Sequence, residues 1–263
     1  MTGPMTGDMT GKDARLEGGR LRGQRLFLSA SVPTRERPQF YGGADAHRQI
    51  EDAVISLSRA VFVEGGTLVF GGHPAISPLV AMVAGEYLAP LGAEADGRRE
   101  RPPAVPIEIY QSRAFEGFLP DETLMMFRLG YANLHWIDAV DGERFDPEAP
   151  RDEPPCPGSM EEMRRRMIDE MQPVAMVAIG GMQGIFDELR IFRELRQDAP
   201  VYALATTGGA AALLAGGREP GVRAIDTEVM NPLKEHGELR FREGDRPVIP
   251  YPLIVQVLVH ELI

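Results

Sequence analysis

The chain has one cysteine, Cys156, among its 263 residues, which excludes an intramolecular disulfide and fits a reducing compartment. It also lacks any apolar run near the roughly 20 residues that a membrane-spanning helix needs. Basic residues are outnumbered, with 28 Lys and Arg against 39 Asp and Glu, and the net charge is −11. That charge argues against nucleic-acid binding, which requires a basic face. We therefore predict a cytoplasmic protein that binds neither nucleic acid nor membranes.

Two familiar nucleotide-binding signatures are also missing. The dinucleotide fingerprint of three glycines at their usual spacing does not follow the first predicted strand, and no Walker lysine motif is present. The sequence therefore argues against an ordinary dehydrogenase. It gives no reason to expect a metal site or a cofactor.

What the chain does contain is a regular alternation of buried-strand and helical patterns, within a composition that is 43% apolar. This alternation predicts an α/β fold: a Rossmann-like, doubly wound, mainly parallel sheet with helices on both faces. Residues 1–24, with three Met-Thr-Gly repeats, are predicted to be a disordered leader. Residues 25–263 are predicted to form one domain, with a proline-rich, acidic insertion at about 141–158.

Three expectations concern the second half of the chain. Ser159 and Glu162 have the spacing of a capping box at the start of a helix that ends at Met171. The run Arg164-Arg165-Arg166 in that helix is interpreted as a solvated face. The segment from Gly217 to Pro250 is predicted to be mixed loop and polar segment, and 252–262 an apolar helix or strand that packs on the sheet edge.

The most informative stretch is Pro173–Leu189, in which a buried strand ends at Gly180-Gly181. Two residues later comes Gly184, and then a helical segment with Asp187 and Glu188. Glycines allow close approach of a ligand, and a helix start offers unpaired N–H groups with a partial positive charge. The pattern predicts an anion site on this turn.

Other predicted strands end in a similar way. Four of them end in residues that suit a ligand site. These residues are Ser29, Ala30 and Ser31 after the first strand, Gly71, Gly72 and His73 after the second, Arg113 after the third, and Thr207, Gly208 and Gly209 after a later one. The carboxyl ends of parallel strands share one edge, where ligands of open α/β sheets bind. Each group also has a simpler explanation. The serines suit a turn before proline, His73 can cap its own turn, and Arg113 can be a surface residue.

These motifs resemble the SLOG superfamily. GGMQGIFDE is similar to the PGGxGTxxE signature of the LOG (lysine-decarboxylase-like) phosphoribohydrolases, and FLSASVP, VFGGHPAISPLV, IYQSR and TTGGAA occur in the expected order. The resemblance covers about residues 25–216. It differs from the signature by one additional residue after the glycine pair, by Ile185 for threonine and by Ile179 for proline. No counterpart of the hydrolases' helix arginine is evident.

The resemblance implies roles for individual residues. The serines after the first strand would lie near phosphate or ribose, with Gly71, Gly72 and His73 beside them. Gly180, Gly181, Met182 and Gly184 would hold the phosphate, and Thr207, Gly208 and Gly209 would close the far side. Glu188 matches the glutamate that the hydrolases use against the ribose and the glycosidic bond.

Three hypotheses follow from the residues and the resemblance together. The first is a sensor that binds a nucleotide-derived ligand, such as ADP-ribose or a cyclic or ADP-ribose derivative, in bacterial signalling or defence. It would act through an effector protein or a change in a homo-oligomer. The alternative is a LOG-like phosphoribohydrolase that cleaves the N-glycosidic bond of a nucleoside monophosphate, with Glu188 as the catalytic residue. The third is a scaffold whose glycines serve packing alone.

Overall fold

Seven parallel strands form the central sheet in a computed structural model of the protein. The structure describes residues 19–88, 106–149, 155–217, 219–225, 242–243, 246–247 and 249–262. The strands are β1 (Arg25–Ser31), β2 (Thr67–Gly71), β3 (Ile107–Ser112), β4 (Ala132–Ile137), β5 (Ala175–Gly180), β6 (Val201–Leu204) and β7 (Val222–Ile225). Their order is β4-β3-β2-β1-β5-β6-β7, and every pair is parallel.

Helices cover both faces of this sheet. They are α1 (Gly43–Val63), α2 (Ser77–Leu88), α3 (Asp121–Arg128), α4 (Pro157–Met171), α5 (Gln183–Leu195), α6 (Gly209–Gly216) and α7 (Tyr251–Glu261). Successive strand side chains point to opposite faces, so Leu26 and Leu28 pack with α1, α2, α3 and α7, while Phe27 packs with α4, α5 and α6. The doubly wound, parallel α/β fold predicted from the sequence is confirmed.

The C-terminal part contains a strand that the sequence did not predict. The interval predicted to be mixed loop and polar segment contains β7, whose residues Arg223 and Ala224 are exposed, so this edge strand has no continuous apolar run. Residues 226–241 of that interval lie outside the described residues. The apolar segment that follows is the helix α7. It packs on α1 with Tyr251 and Ile254 in the core, and its Glu261 contacts Arg223 of the edge strand β7 at 3.1 Å.

The ordered fold begins before β1. Residues 1–18 of the predicted leader lie outside the described residues. Leu21, which was assigned to that leader, is fully buried, and its amide donates to the carbonyl oxygen of Glu64 at 2.9 Å. Residues 19–24 therefore belong to the packed domain.

The predicted capping box at the start of α4 is wrong, because the helix begins two residues earlier, at Pro157. Glu143, from the acidic insertion, caps the helix: its carboxylate accepts from the amides of Gly158 at 3.1 Å and Ser159 at 2.7 Å. The Ser159 hydroxyl instead accepts from the amide of Val140 at 3.0 Å. The insertion thus fixes the start of α4.

We expect Glu143→Ala to lower the free energy of unfolding by about 1 kcal/mol at pH 7, because two helix-start amides lose their acceptor. The Ser159 hydrogen bond lowers the pKa of Glu143. This stabilisation is therefore complete above the usual carboxyl pKa and disappears as the pH falls through the lowered value. Urea denaturation at pH 7 and pH 3 measures it. Glu148→Ala, in the same segment, is the control, and equal losses in both variants would contradict the cap.

Candidate functional site

The chain changes direction across the sheet between β1 and β5, which lie side by side with Ser31 opposite Gly180. β1 leads to α1 on one face, and β5 leads to α5 on the other. The carboxyl ends of two such strands border a crevice, and this crevice is where open α/β sheets bind ligands. The turn that the sequence singled out thus lies at the switch point of the fold.

The first two amides of the β5–α5 turn are used within the protein. The amide of Gly180 donates to the Thr207 hydroxyl at 2.8 Å, and that of Gly181 donates to the carbonyl oxygen of Ser31 at 2.7 Å. Both were predicted to hold a phosphate. In the structure these two amides instead hydrogen-bond the turn to Thr207 and to the end of β1. Only the amides that follow are available to bind an anion.

The amides that follow belong to Met182, Gln183 and Gly184, at the start of α5. The first amides of a helix have no acceptor within it, and these three have none elsewhere in the described chain. They carry the partial positive charge of the helix start. This is the part of the turn that can bind an anion.

The β6–α6 turn lies directly against the β5–α5 turn. The amide of Ala210 donates to the carbonyl oxygen of Gly181 at 3.0 Å. Thr207 is fully buried, and its hydroxyl donates to the carbonyl oxygen of Leu204 at 2.6 Å as well as accepting from the β5–α5 turn. The two glycine turns therefore converge. Thr207 holds them together and is not exposed to the crevice.

A charged cluster lies beside the start of α5. Glu188 accepts hydrogen bonds from the buried Ser29 hydroxyl through Oε2 and from Arg164 Nε through Oε1, the latter at 3.3 Å. Arg164 Nη1 also contacts Asp187 Oδ2 at 3.4 Å. A side chain at Gly184 would meet the guanidinium, since its Cβ would lie 2.9 Å from Arg164 Nη2. The cluster therefore brings a cation and two carboxylates to the unpaired amides of α5.

The interpretation of the run Arg164-Arg165-Arg166 as a solvated face is wrong for Arg164. Its side chain is only 13% exposed, compared with 37% for Arg165 and 54% for Arg166. The structure thus places an arginine on a helix next to Glu188, where the sequence showed no evident counterpart of the hydrolases' helix arginine. Arg164 is the one member of the candidate site that the sequence did not indicate.

The surroundings of Glu188 raise the pKa of its carboxyl group. Burial raises the pKa of this carboxyl group, and the charge of Arg164 and the Ser29 hydroxyl oppose that rise. A raised pKa suits a carboxyl group that acts as a general acid or base, and the carboxylate oxygens also suit ribose hydroxyls.

A second set of ion pairs involves Arg165 of α4 and Arg190 of α5. Arg165 contacts Glu161 at 3.1 Å and Glu194 at 2.6 Å, and Arg190 contacts the same two glutamates at 2.6 and 2.9 Å. Two of the four pairs, Arg165–Glu194 and Arg190–Glu161, join the two helices, and each exposed pair contributes little on its own. Neither Arg165 nor Arg190 contacts Glu188 or Asp187 among the described residues.

Comparison with known proteins gives one decisive result. No curated protein matches the sequence. A solved structure titled TM1055, a Northeast Structural Genomics Consortium target, is similar with 13% identity and a TM-score of 0.43, covering 81% of this chain and 99% of its own. The model of the SLOG cluster3 family matches residues 39–230. The chain belongs to the SLOG cluster3 family. This membership supports a nucleotide-related function in general terms.

In this SLOG domain His73 caps its own turn, which was the simpler of its two explanations. Its Nδ1 accepts from the amide of Ala75 at 3.1 Å, so the proton of the neutral ring is on Nε2. Burial lowers the pKa of His73 to about 4, and the ring is therefore neutral at physiological pH. Gly71 and Gly72 precede it at the end of β2, beside β1.

Arg113 lies apart from the SLOG glycine turns. It follows β3, which β2 and β1 separate from β5, so three strand spacings of about 4.8 Å place it roughly 14 Å from Gly180. It contacts Glu116 at 3.1 Å and Asp138 at 3.3 Å and lies over the Trp136 ring. The structure does not bring Arg113 to the Arg164–Glu188 cluster.

The β1–α1 connection covers part of the first turn of α5. Phe40 is buried against Phe186, with ring centroids 6.4 Å apart. A cavity of about 550 Å³ lies on another side of α5, away from Arg164, and its lining is Phe186, Leu189, Arg190, Arg193, Gln197, Glu219 and Pro220. The crevice of the SLOG domain and this cavity are therefore separate features.

Two other kinds of feature are absent from the described ranges. No group of three or more His, Cys, Asp or Glu side chains there is arranged to hold a metal ion. None of the helices in those ranges is long and apolar enough to cross a membrane.

Proposed function

We propose that this protein binds a nucleotide-derived ligand, such as ADP-ribose or a cyclic or ADP-ribose derivative, at the crevice between β1 and β5. The observation that carries the proposal is the meeting of unpaired α5 amides with Arg164, Asp187 and Glu188. Amides and a guanidinium suit a phosphate, and carboxylates suit ribose hydroxyls. One site thus combines the two chemistries that a phosphorylated sugar requires.

The ligand orientation follows from this arrangement. Its phosphate lies on the amides of Met182, Gln183 and Gly184, next to Arg164 Nη2, which has no acceptor among the described residues. Its ribose hydroxyls donate to Asp187 or Glu188. An overall charge of −11 does not oppose this, because the local dipoles and the guanidinium determine the potential at the phosphate.

Ligand-induced stabilisation tests the proposal. Adenosine monophosphate, ADP-ribose and cyclic nucleotides are added separately while thermal unfolding is followed. A ligand at 100 times its dissociation constant is expected to add about 2.7 kcal/mol to the free energy of unfolding. Inorganic phosphate at the same ionic strength is the control. If no nucleotide stabilises the protein more than phosphate does, the glycines serve packing alone and the proposal fails.

A second candidate function is cleavage of the N-glycosidic bond of a nucleoside monophosphate. The position of Arg164 beside Glu188 favours it, because the charged pair can hold a phosphoribosyl group while the carboxylate stabilises an oxocarbenium-like transition state or activates water. Incubation with adenosine monophosphate, NAD and ADP-ribose, followed by measurement of free base, separates the two functions. Turnover that Glu188→Gln abolishes supports the hydrolase, and tight binding without turnover supports the sensor.

As a sensor, the protein would act in the cytoplasm of a bacterium, in a signalling or defence system. Binding at the crevice would be transmitted to an effector protein or through a change in a homo-oligomer. Sedimentation of the purified protein with and without ADP-ribose tests the second route.

A further inference from the structure

Ser29 is a polar residue in an otherwise apolar part of the sheet. It is 1% exposed, lies on the same face of β1 as Phe27, and is paired in register with Ala178 of β5. A buried hydroxyl is costly unless it is hydrogen-bonded. Its presence at this position therefore depends on the partner that it finds.

That partner is the carboxylate of Glu188, which reaches from α5 to the sheet. The Ser29 hydroxyl donates to Oε2, and Arg164 Nε donates to Oε1 at 3.3 Å. The small side chain of Ala178, beside Ser29, leaves room for the carboxylate. Each oxygen of Glu188 is thus held by a different element, one by β1 and the other by α4.

We infer that Ser29 is a positioning residue, which fixes the orientation in which Glu188 meets the ribose of the ligand. The inference rests on the proposed function at this site. It changes the role that the sequence suggested for Ser29, since a buried hydroxyl committed to Glu188 does not itself contact phosphate or ribose. Ser29 also lies before the segment that matches the family model, so the match does not include it.

Removal of the hydroxyl has a defined consequence. Without it, Oε2 of Glu188 is a buried acceptor with no donor from the sheet, and the carboxylate loses one of its two restraints. The ionised form is then less favoured, and the side chain can rotate about Arg164. Ligand binding that needs an ionised, oriented carboxylate becomes weaker. The pH below which binding is lost also increases.

Threonine and valine provide a matched pair of variants, because they have the same shape and differ in the hydroxyl. ADP-ribose and adenosine monophosphate are titrated by calorimetry between pH 5 and pH 8 into the wild type, Ser29→Thr and Ser29→Val. The titration of Glu188 is followed by carboxyl ¹³C NMR without ligand, with its signal assigned through Glu188→Gln. Ser29→Ala, which adds no volume, is measured in parallel as a second variant without the hydroxyl.

We expect Ser29→Thr to bind like the wild type, while Ser29→Val and Ser29→Ala bind roughly tenfold more weakly or worse and titrate Glu188 at higher pH. Equal titration of Glu188 in Ser29→Thr and in both hydroxyl-free variants overturns the inference. If the wild type binds neither nucleotide, the proposed function is overturned. In that case, titration of Glu188 at higher pH in Ser29→Val and Ser29→Ala still supports the positioning of Glu188 by Ser29.

Discussion

Replacement of Arg164 by methionine is expected to lower the free energy of unfolding by about 2–3 kcal/mol at pH 7 and to abolish nucleotide binding. Removing one partner of a buried ion pair leaves the other charge uncompensated, at a cost of about 3–5 kcal/mol when burial is complete. Glu188 retains 18% side-chain exposure and a hydrogen bond from Ser29, which reduces that cost. The proposed phosphate site also loses the one guanidinium beside the α5 amides among the described residues.

The pH dependence of this variant has a definite sign. Burial already raises the pKa of Glu188, and the loss of the Arg164 charge raises it further. The folded state then binds a proton at a pH where the unfolded state does not, so stability increases as the pH falls through the raised value. We therefore expect the destabilisation of Arg164→Met relative to the wild type to be smaller at pH 5 than at pH 7.

Arg165→Met is the matched control, with the same substitution at the next residue of α4. Arg165 is 37% exposed and pairs with Glu161 and Glu194, so its loss should cost less than about 1 kcal/mol. It should leave nucleotide binding intact. Urea denaturation at pH 5 and pH 7, with calorimetry for binding, compares the two variants. Equal destabilisation and equal binding would show that Arg164 is the surface residue that the sequence suggested.

The position of Arg164 could have been read from helical geometry. Each helical residue advances about 100°, so Arg164 lies between the directions of Met167 and Ile168, both fully buried, whereas Arg165 lies beyond them. An arginine within the apolar arc of a helix needs an anionic partner. Three adjacent arginines interpreted as a single solvated face hide this difference between Arg164 and Arg165.

Strand and helix patterns were sufficient for the fold, because buried parallel strands such as β5 are continuous apolar runs. β7 has two exposed residues and gave no such signal. The roles of individual amides were also out of reach. The amides of Gly180 and Gly181 have acceptors in neighbouring segments, whereas the amide of Met182 has none in the described chain. Which amides find acceptors depends on the register of β1 and β6 against β5. Local sequence carries no information about such tertiary contacts.

Substitution of Gly209 by alanine is expected to destabilise the protein by about 3–5 kcal/mol and to disrupt the ligand site. Its Cβ would lie 2.6 Å from the carbonyl oxygen of Gly181 and 2.8 Å from the carbonyl carbon of Gly180, and backbone atoms cannot rotate away. The φ angle of Gly209 is +60°, which adds strain for any other residue. Relief requires α6 to move away from the β5–α5 turn, which breaks the hydrogen bond from Ala210.

Gly117→Ala separates the clash from the backbone strain. Gly117 has a φ of +94°, and a Cβ there would meet no atom within 4 Å, so its substitution carries strain alone, about 1–2 kcal/mol. Denaturant unfolding measures the loss of unfolding free energy in each variant, and the difference between the two losses is the cost of the clash. Ligand-induced stabilisation shows whether the crevice is intact. A Gly209→Ala protein as stable as Gly117→Ala, with unchanged nucleotide binding, would mean that the two glycine turns do not depend on close backbone contact. Because the convergence of these turns places the unpaired α5 amides at the switch point, the site itself would then need a different explanation.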